Sequence, residues 1–419
     1  MNQRLFVHHE RRLIGELSQG EATPLQFRYD PSWLSSVGAF PISLSLPLDG
    51  RFAVATGHRF FANLLPEGDV RQRIGEALGI SQGNDFELLK AIGGDCAGAL
   101  TITVSRALGP VQSPARYEPV TEEQLARWSI GKPDAFSAVS GQCEVRLSLA
   151  GAQDKLPVHV EGDRIQIPVA DSPSTHLLKF ASPYHSHLPE NETFVSLLAG
   201  AVGLPVVDIS LRRTVRARVA VITRYDRSVQ GGYLRRLHQE DFCQALGISP
   251  ANKYEKEGGP SLKQCAELIR RHTSFPLLEL QKLLQWTLFN LVVGNADAHG
   301  KNLSLLYGED GPPSLAPFYD LVCTRNYPKI SRHLAMSIGG VSNPDQVGKR
   351  QLQALAADLQ MRPNAVIRAA TSLVEQLPEA IAETTQSFAD RFGDSPVIRR
   401  LPIIIRKQIR RLSSQLNSD

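Results

Sequence analysis

The hydrophobic pattern of the chain changes near residue 238, and this change constrains the fold more than any other feature. From Glu144 to about Leu237, apolar residues come in short runs typical of β-strands, interrupted by one helical stretch, Glu192–Val202. Downstream they recur at helical spacing, and Leu283–Val293 is apolar on nearly every side, as in a buried helix. The strand-like runs include Lys155–Val160, Arg164–Pro168, His176–Phe180 and Val219–Arg224, and further helical stretches are Gln351–Leu359, Ala365–Leu377 and Ile403–Leu416. Strands followed by helices predict an α+β fold.

The length of the chain, 419 residues, predicts several domains, because a single hydrophobic core seldom grows this large. Residues 108–142 are rich in Pro, Ser and Glu, with one short helix expected at Thr121–Trp128. We therefore expect an N-terminal subdomain at 1–107, a connector at 108–142, a strand-rich lobe at 143–237 and a helical lobe at 238–419. This order is that of a protein-kinase-like bilobal fold with an additional N-terminal subdomain.

Charge, hydrophobicity and cysteine content limit the partners and the cellular compartment that are expected. The net charge of +4, from 46 basic and 42 acidic residues, does not by itself imply nucleic acid. No apolar stretch of about 18 residues and no leader-like start occur, so neither a membrane span nor a signal peptide is expected. Five cysteines without a CxxC pair favour free thiols in the cytoplasm. The basic residues of the last helical stretch are expected on a solvated face, with contact to nucleic acid or an acidic partner as the alternative.

The polar segment Asn295-Ala-Asp-Ala-His-Gly-Lys-Asn302 follows the predicted buried helix directly. Asp297 and Asn302 stand five residues apart, the spacing of the base and a metal-binding Asn in kinase catalytic loops. Lys301 could neutralise a transferred phosphoryl group, and His299 could hold the loop by hydrogen bonds. An ordinary polar turn between a helix and a strand is the alternative, because Asn, Asp and Gly are common there.

Asp320 in Pro317-Phe-Tyr-Asp320 is the candidate for a second metal ligand. An aromatic residue before an Asp resembles the Asp-Phe-Gly element of kinases, although no Gly follows here. The runs Leu303–Tyr307 and Ser314–Ala316 predict a hairpin between Asn302 and Asp320. Taken alone, Asp320 is better explained as the cap of a strand end. Together with Asp297 and Asn302 it predicts a Mg²⁺ site, and Tyr319 is expected beside the nucleotide.

Three further segments are expected to bind ATP. Lys179 ends a strand-like run, where a kinase lysine would hold the phosphates, although such a lysine is usually an edge residue. The loop Ala150-Gly-Ala-Gln-Asp-Lys155 has small residues that let backbone N–H groups approach phosphate, and a simple hairpin turn is the alternative. The end of the run Val221–Tyr225 would hold adenine through Thr223, Arg224 and Tyr225, and an ordinary alternating strand is the alternative. Ser148, just before the loop, is a solvent-facing strand serine when taken alone. Its place makes it a candidate phosphorylation site, because phosphate there would repel the ATP phosphates.

These motifs, in this order, resemble the HipA-type kinase toxins of bacterial type II toxin–antitoxin modules. The resemblance runs over most of the chain. It includes, besides the segments above, Phe60–Glu67, Asp85–Asp95, Arg224–Arg227, Leu237–Asp241, Lys253-Tyr-Glu255 and Gly258-Gly-Pro260.

The resemblance implies a role for each matching position. Ser148 matches a serine that these kinases autophosphorylate, and Ala150, Gly151, Ala152, Gln153, Asp154 and Lys155 match their phosphate-binding loop. Lys179 matches the ATP-positioning lysine, Thr223–Tyr225 the adenine hinge, and His299, Gly300, Lys301 and Asn302 the nucleotide-contacting loop. Asp297 matches the base, and Asn302 and Asp320 match the Mg²⁺ ligands.

The resemblance also implies a substrate and a partner, and this chain departs from the family pattern at three positions. Family members phosphorylate a serine of glutamyl-tRNA synthetase, arrest growth, and are neutralised by a HipB-like helix-turn-helix antitoxin that binds operator DNA. Here Thr223 stands where an acidic residue is expected, Tyr225 replaces Phe, and Asp154 replaces Glu. A nucleotide-binding corepressor without toxicity and an aminoglycoside-type phosphotransferase are the competing hypotheses. The second usually has His where this chain has Asn295.

Overall fold

The computed structural model of the protein describes residues 3–20, 25–108, 115–130, 153–169, 172–181, 184–230, 233–308 and 311–417, without the side chains of residues 230 and 233. The chain divides into two compact units. Unit 1 comprises Met1–Phe180, Thr214–Arg216 and Thr223–Ala251, and unit 2 comprises Ala181–Arg213, Ala217–Ile222 and Asn252–Asp419.

The first sheet of unit 1 has the strand order β3-β2-β1-β4 and is antiparallel in each pairing. Its strands are β1 (Gln3–His9), β2 (Arg12–Gln19), β3 (Gln26–Tyr29) and β4 (Leu100–Thr103). Leu5 pairs with Leu17 in register, and both are fully buried. The helices are α1 (Pro31–Leu34), α2 (Val54–Ala62), α3 (Gly68–Leu78) and α4 (Asp85–Ile92). Phe60, Phe61 and Leu89 complete one hydrophobic core with this sheet.

A second set of strands in unit 1 pairs in the order β5-β7-β6-β8. These strands are β5 (Arg116–Pro119), β6 (Lys155–Glu161), β7 (Arg164–Val169) and β8 (His176–Lys179), and helix α5 (Glu122–Trp128) follows β5. The hairpin of β11 (Arg227–Gln230) and β12 (Tyr233–Arg236) and the strand β13 (Gln239–Asp241) come later, before the short helix Phe242–Ala245. The Lys155↔Lys179 pairing of β6 with β8 sets two lysines opposite each other.

Unit 2 is mainly helical. Its helices are Leu188–Ala201, Leu262–His272, Pro276–Val293, Lys349–Asp358, Pro363–Phe392 and Pro396–Asn417. The strand β9 (Ile209–Arg213) pairs with β10 (Arg218–Thr223), and β14 (Ser304–Leu306) pairs with β15 (Ser314–Leu315), both antiparallel. No helix among the described residues is both long and apolar enough to cross a membrane.

The helix Pro276–Val293 carries the candidate catalytic segment at its carboxyl end. Pro276 occupies the first turn, where its missing N–H costs nothing. Leu283, Phe289 and Val293 are fully buried, as the apolar sequence predicts. Gly294 ends the helix in the left-handed conformation at φ 74°, which glycine adopts without strain. The chain therefore leaves a rigid, buried helix at a fixed point immediately before Asn295.

Most of the predicted elements are confirmed, including the α+β class. The helix expected at Thr121–Trp128 is α5, with the Thr121–Gln124 capping box, and the hairpin expected before Asp320 is β14–β15. The helix predicted at Ala365–Leu377 is wrong in length, because the observed helix continues to Phe392 through Pro378. A proline inside a helix costs on the order of 3 kcal/mol. The buried side chains of Ile381 and Phe388 on the continuing face offset that cost.

Four of the cysteines are confirmed as free, buried thiols: Cys96, Cys243, Cys265 and Cys323. Cys143 lies outside the described residues. Burial raises the pKa of the Cys96 and Cys323 thiols to about 12, so these thiols stay protonated and unreactive.

Candidate active site

Asn295 organises the segment that follows the buried helix of unit 2. It is 1% exposed, and its Nδ2 donates to Oδ1 of Asn290 at 2.8 Å and approaches the Asp320 carbonyl at 3.5 Å. Its Oδ1 accepts from the backbone N–H of Asp297 at 3.0 Å. One amide side chain therefore links the helix, the backbone of the candidate base and the backbone of the candidate metal ligand.

Thr324 supports the same segment. Its Oγ1 accepts from the Ala296 N–H at 2.8 Å and donates to the Gly294 carbonyl at 3.0 Å. Gly294 also has close neighbours in the Arg325 side chain, which leaves no room for a Cβ atom there. The entry into the segment is thus fixed by hydrogen bonds between neutral groups.

Asp297 is the half-exposed acid of the segment. Its side chain is 51% exposed, and Oδ1 accepts a 2.5 Å hydrogen bond from the Tyr254 hydroxyl. His299 Nε2 lies 4.0 Å from the same oxygen. The described residues give Oδ2 no hydrogen-bond donor. A carboxylate with one oxygen held and the other accessible can accept the proton of an incoming hydroxyl group.

Asn302 closes the segment. Its Nδ2 donates to the Asp297 carbonyl at 2.9 Å, and the residues Gly300–Asn302 form a turn of 3₁₀-helix. Because the amide nitrogen is used in this way, the carbonyl oxygen Oδ1 is the ligand atom that remains, with no donor among the described residues. Tyr319 donates to the Lys301 carbonyl at 2.8 Å and bonds to the Ser304 hydroxyl at 2.7 Å. Tyr319 therefore holds the segment rather than standing apart from it.

Asp320 has an unusual backbone. Its φ of 54° lies in the left-handed region, which costs a residue with a Cβ atom roughly 1 kcal/mol or more. Such strain persists only where surrounding contacts impose it, and here the Asn295 amide faces the Asp320 carbonyl. Strained residues concentrate at functional sites. The strain supports a functional role for Asp320.

The donor set fits Mg²⁺. Magnesium in phosphate-transfer sites is typically bound by one or two side-chain oxygens and completed by water and substrate phosphates. Asn302 Oδ1 and the Asp320 carboxylate provide such oxygens. No group of three or more His, Cys, Asp or Glu residues in the described part of the chain could hold a metal on its own.

The candidate phosphate-binding lysines lie in unit 1. Lys155 and Lys179 are directly opposite on β6 and β8, and Lys179 is only 4% exposed. Directly opposed residues of an antiparallel pair point to the same face of the sheet, and like charges there are unfavourable unless anions compensate them. Two opposed lysines on one face are compatible with the phosphate-binding role expected of both.

The end of the candidate phosphate-binding loop is tied to β8. Gln153 Nε2 donates to the Phe180 carbonyl at 3.2 Å, and the Phe180 N–H donates to the Asp154 carbonyl at 3.2 Å. The Asp154 carboxylate forms an ion pair with Arg73 of α3. Ser148, Ala150, Gly151 and Ala152 lie outside the described residues.

The candidate adenine hinge rests on a buried ion cluster in unit 1, which we call the hinge cluster: Asp95, Ser174, Arg224, Asp226, Arg227 and Arg236. Arg224 pairs with Asp226 at 2.8 Å and with Asp95 at 3.3 Å, and Arg227 pairs with Asp95 at 2.6 Å. The Gly98 N–H donates to Asp226 at 2.6 Å. The cluster thus ties the loop after α4 to the hinge.

Electrostatics keep the hinge cluster charged. Burial alone would raise the pKa of Asp95, but the guanidinium groups of Arg224, Arg227 and Arg236 bring it well below its usual value. Burial, helped by Arg224, lowers the pKa of Arg227 to about 10, which still leaves it protonated at neutral pH.

The two ends of the hinge itself are also held. The Arg224 N–H donates to the Thr175 carbonyl at 2.9 Å, and the Tyr225 hydroxyl bonds to Gln239. The Arg224 side chain therefore serves the hinge cluster, which the sequence prediction of an adenine contact did not anticipate. Thr223 ends β10.

Sequence reasoning also missed the roles of Tyr254, Thr324 and Asn295. Tyr254 lies in a motif to which the sequence assigns no role. Asn295 draws attention in the sequence only because it stands where aminoglycoside-type phosphotransferases usually have His. Thr324 had no signal in the sequence, because a lone threonine in a loop is unremarkable. The stripe of basic residues on the last helix is exposed, as expected for a solvated face: Arg399, Arg400, Arg406, Lys407 and Arg410.

Comparison with known proteins defines the class. The family model of the HipA-like C-terminal domain matches residues 147–382, and that of the HipA N-terminal domain matches residues 5–103. The first match alone spans more than half of the chain. The protein belongs to the HipA family, and the predicted resemblance is confirmed.

Individual relatives agree with this assignment. The chain is 34% identical over 392 residues to the serine/threonine-protein kinase toxin HipA of Shewanella oneidensis, covering 90% of this chain and 88% of the relative. It is 39% identical over 399 residues to the protein Y4mE of Sinorhizobium fredii, which is named as a kinase, covering 93% and 94%. The kinase toxins are therefore the class to which this chain is similar over nearly its whole length.

A solved structure matches the whole fold. The structure of the Shewanella oneidensis toxin–antitoxin system, with HipA, HipB and operator DNA, aligns with a TM-score of 0.83 at 30% identity, covering 98% of this chain and 97% of that chain. The kinase-like α+β fold predicted from the sequence is thereby confirmed.

Proposed function

We propose that this protein is an ATP- and Mg²⁺-dependent serine/threonine-protein kinase of the EC 2.7.11.1 type, which acts as a toxin. The observation that carries the proposal is the Asn295-centred network of unit 2. It places a half-exposed Asp297 directly after the buried helix, with the Asn295 amide facing the carbonyl of the strained Asp320 and with Asn302 bonded to the Asp297 backbone. A base, two oxygen ligands and a rigid support are what phosphoryl transfer requires of a protein.

Each residue then has a role. Asp297 accepts the proton of the attacking serine hydroxyl while that oxygen bonds to the γ-phosphorus and the bond from phosphorus to ADP breaks. Asn302 and Asp320 would hold Mg²⁺, which neutralises phosphate charge when bound. Lys301 lies beside the transferred group, and His299, Gly300 and Tyr319 line the nucleotide. Lys179, Lys155 and the loop from Ala150 to Asp154 receive the phosphates, and Thr223–Tyr225 receive adenine.

The biological setting is inferred from the relatives. The similarity to a HipA toxin that was solved with HipB and operator DNA supports a HipB-like antitoxin as partner, with operator DNA contacted mainly through it. We propose that the protein acts in the cytoplasm on a serine of a translation enzyme, with glutamyl-tRNA synthetase as the first candidate. Phosphorylation of that serine would arrest growth. Autophosphorylation of Ser148 would inactivate the kinase, and the antitoxin complex would repress its own operon. The four predicted segments, 1–107, 108–142, 143–237 and 238–419, remain our proposed domain limits.

The proposal is tested by incubating the purified chain with γ-labelled ATP and Mg²⁺, with and without glutamyl-tRNA synthetase. We expect label on Ser148, mapped by mass spectrometry, and on the synthetase. A Ser148→Ala variant should lose only the first label. An Asp297→Asn variant should lose both while still binding ATP. An unlabelled wild-type chain and synthetase would contradict the proposal and favour a corepressor without kinase activity.

A further inference from the structure

The motif Lys253-Tyr-Glu255 with Gly258-Gly-Pro260 forms a tight turn in unit 2 that the proposed function leaves unexplained. Glu255–Glu257 is a turn of 3₁₀-helix, and Gly258 follows at φ 91°. A Cβ atom at Gly259 would collide with the carbonyl groups of Asn252 and Tyr254. The glycine pair therefore permits a chain reversal that no other residue would fit.

This turn is anchored at Tyr254 and at the residue that follows it. The Glu255 carboxylate accepts from the backbone N–H of Ser337 at 2.5 Å and from its hydroxyl at 2.9 Å. The Glu255 N–H donates to the Ala335 carbonyl at 3.0 Å, and the Gly259 N–H donates to the Tyr254 carbonyl at 2.9 Å. The backbone at Tyr254 is consequently fixed by four hydrogen bonds in its immediate surroundings.

The ring of Tyr254 is fixed as well. It meets the His299 ring edge to face, with centroids 5.4 Å apart and planes at 82°. The ammonium groups of Lys253 and Lys256 lie 5.6 and 5.9 Å from its centroid. With backbone and ring both held, the hydroxyl reaches Asp297 Oδ1 at 2.5 Å. The whole turn thus ends in one directed hydrogen bond to the proposed base.

We propose that Tyr254 is a positioning residue that fixes the rotation of the Asp297 carboxylate, so that Oδ2 meets the hydroxyl of the protein substrate. This inference rests on the proposed role of Asp297 as the base. In the step, the substrate hydroxyl proton passes to Oδ2 as its oxygen bonds to the γ-phosphorus and ADP departs. Tyr254 keeps its own proton throughout. A carboxylate free to rotate would spend most of its time out of reach of the hydroxyl.

The first test is Tyr254→Phe, which removes the hydroxyl and keeps the ring against His299. We expect kcat for protein phosphorylation to fall roughly ten- to a hundredfold, with KM for ATP unchanged. The matched control is Tyr327→Phe, because the Tyr327 hydroxyl bonds to the Ser186 carbonyl and to Asn191 rather than to Asp297. The control should keep its kcat. An unchanged kcat in Tyr254→Phe overturns the proposal, and so does an equal loss in both variants.

The second test does not depend on activity. Melting temperatures of the wild type, Tyr254→Phe, Asp297→Ala and the double variant form a double-mutant cycle. We expect the shifts to be non-additive, with Tyr254→Phe lowering the melting temperature less once Asp297 is gone. Additive shifts overturn the contact and with it the proposal. If the wild-type chain transfers no phosphate, the proposed function fails. The catalytic role of Tyr254 then fails with it, even where the cycle is non-additive and shows the contact to be real.

Discussion

The hinge cluster of unit 1 and the proposed catalytic segment of unit 2, Asn295–Asn302, are held in opposite ways. The hinge cluster uses buried formal charges: Arg224 and Arg227 with Asp95 and Asp226, whose side chains are all less than 5% exposed. The catalytic segment uses neutral amide and hydroxyl groups of Asn290, Asn295, Asn302 and Thr324, although it carries an acid at its centre.

The difference follows from what each region has to do. For Asp297 as the base we propose, the charge must remain available, and an Arg or Lys paired to it would compete with the substrate hydroxyl. Hydrogen bonds between neutral groups fix the backbone without consuming that charge. The proposed adenine hinge needs no free charge, so buried ion pairs can fix it. Buried pairs add specificity more than net stability.

The largest effect is expected from breaking the hinge cluster. Asp95→Ala leaves the buried Arg224 and Arg227 with Asp226 as the one acidic partner they share in the cluster, which should cost about 3–5 kcal/mol of unfolding free energy. Urea denaturation at pH 7 measures it. The control is Asp49→Ala, since the Asp49–Arg51 pair is exposed and should change stability by less than about 0.5 kcal/mol. Similar small losses in both variants would contradict our account of the cluster.

Unit 1 should also respond to acid through His238. Burial lowers the pKa of His238 to about 4 from its ordinary 6.5, while its Nε2 donates to the Ile42 carbonyl at 2.8 Å. As the pH falls from about 6.5 to about 4, the unfolded chain takes up a proton that the folded chain does not. Stability should therefore fall by about 3 kcal/mol over that window from this group alone.

A His238→Gln variant tests the pH prediction by difference. His8 and His9 also have pKa values lowered by burial, and they remain in the variant. Urea denaturation of both proteins between pH 7 and pH 4 should show a shallower loss in the variant. The lowered pKa of Asp95 contributes stability that is lost only as the pH falls below this window. Parallel pH curves would rule His238 out.

A smaller loss of stability is expected from Asn295→Ala in unit 2. It removes the acceptor of the Asp297 N–H and the donor to Asn290, which should cost about 1–3 kcal/mol. Activity should suffer more than stability, because Asp297 and Asp320 lose their common support. Denaturation and kinase assays on the same samples measure both. The exposed Asn417→Ala serves as control, and full activity in Asn295→Ala would refute the organising role of Asn295.

The smallest effect is expected from Thr324→Val, which keeps the shape of the side chain and removes its hydroxyl. The Ala296 N–H then loses its acceptor, and the Gly294 carbonyl keeps only the Arg325 N–H, at a cost of about 1–2 kcal/mol. The comparison predicts that this loss stays below that of Asp95→Ala. Thermal melting of the two variants side by side measures both losses of stability. A larger loss in Thr324→Val than in Asp95→Ala would contradict the expected order.

Sequence alone predicted the parts of this molecule that depend on local pattern. The buried helix before Gly294, the capped helix after Thr121 and the Asp297–Asn302 spacing are all readable within a few residues. The hinge cluster was not predictable, because it joins Asp95 to Arg224 and Arg227 across more than a hundred residues, and a pairing of that range leaves no periodic signal. The Tyr254–Asp297 contact was not predictable for the same reason. The end of the helix at Leu377 was predicted wrongly, because tertiary packing overrides the helix-breaking tendency of Pro378.

The most direct measurement of the central claim is single-turnover transfer of phosphate from γ-labelled ATP by the wild-type chain and by Asp297→Asn, with ATP binding measured on both. We expect transfer by the wild type, a loss of at least roughly a hundredfold in the variant, and similar ATP affinity in the two. Equal transfer by the two proteins, or none by a wild type that binds ATP, would contradict it.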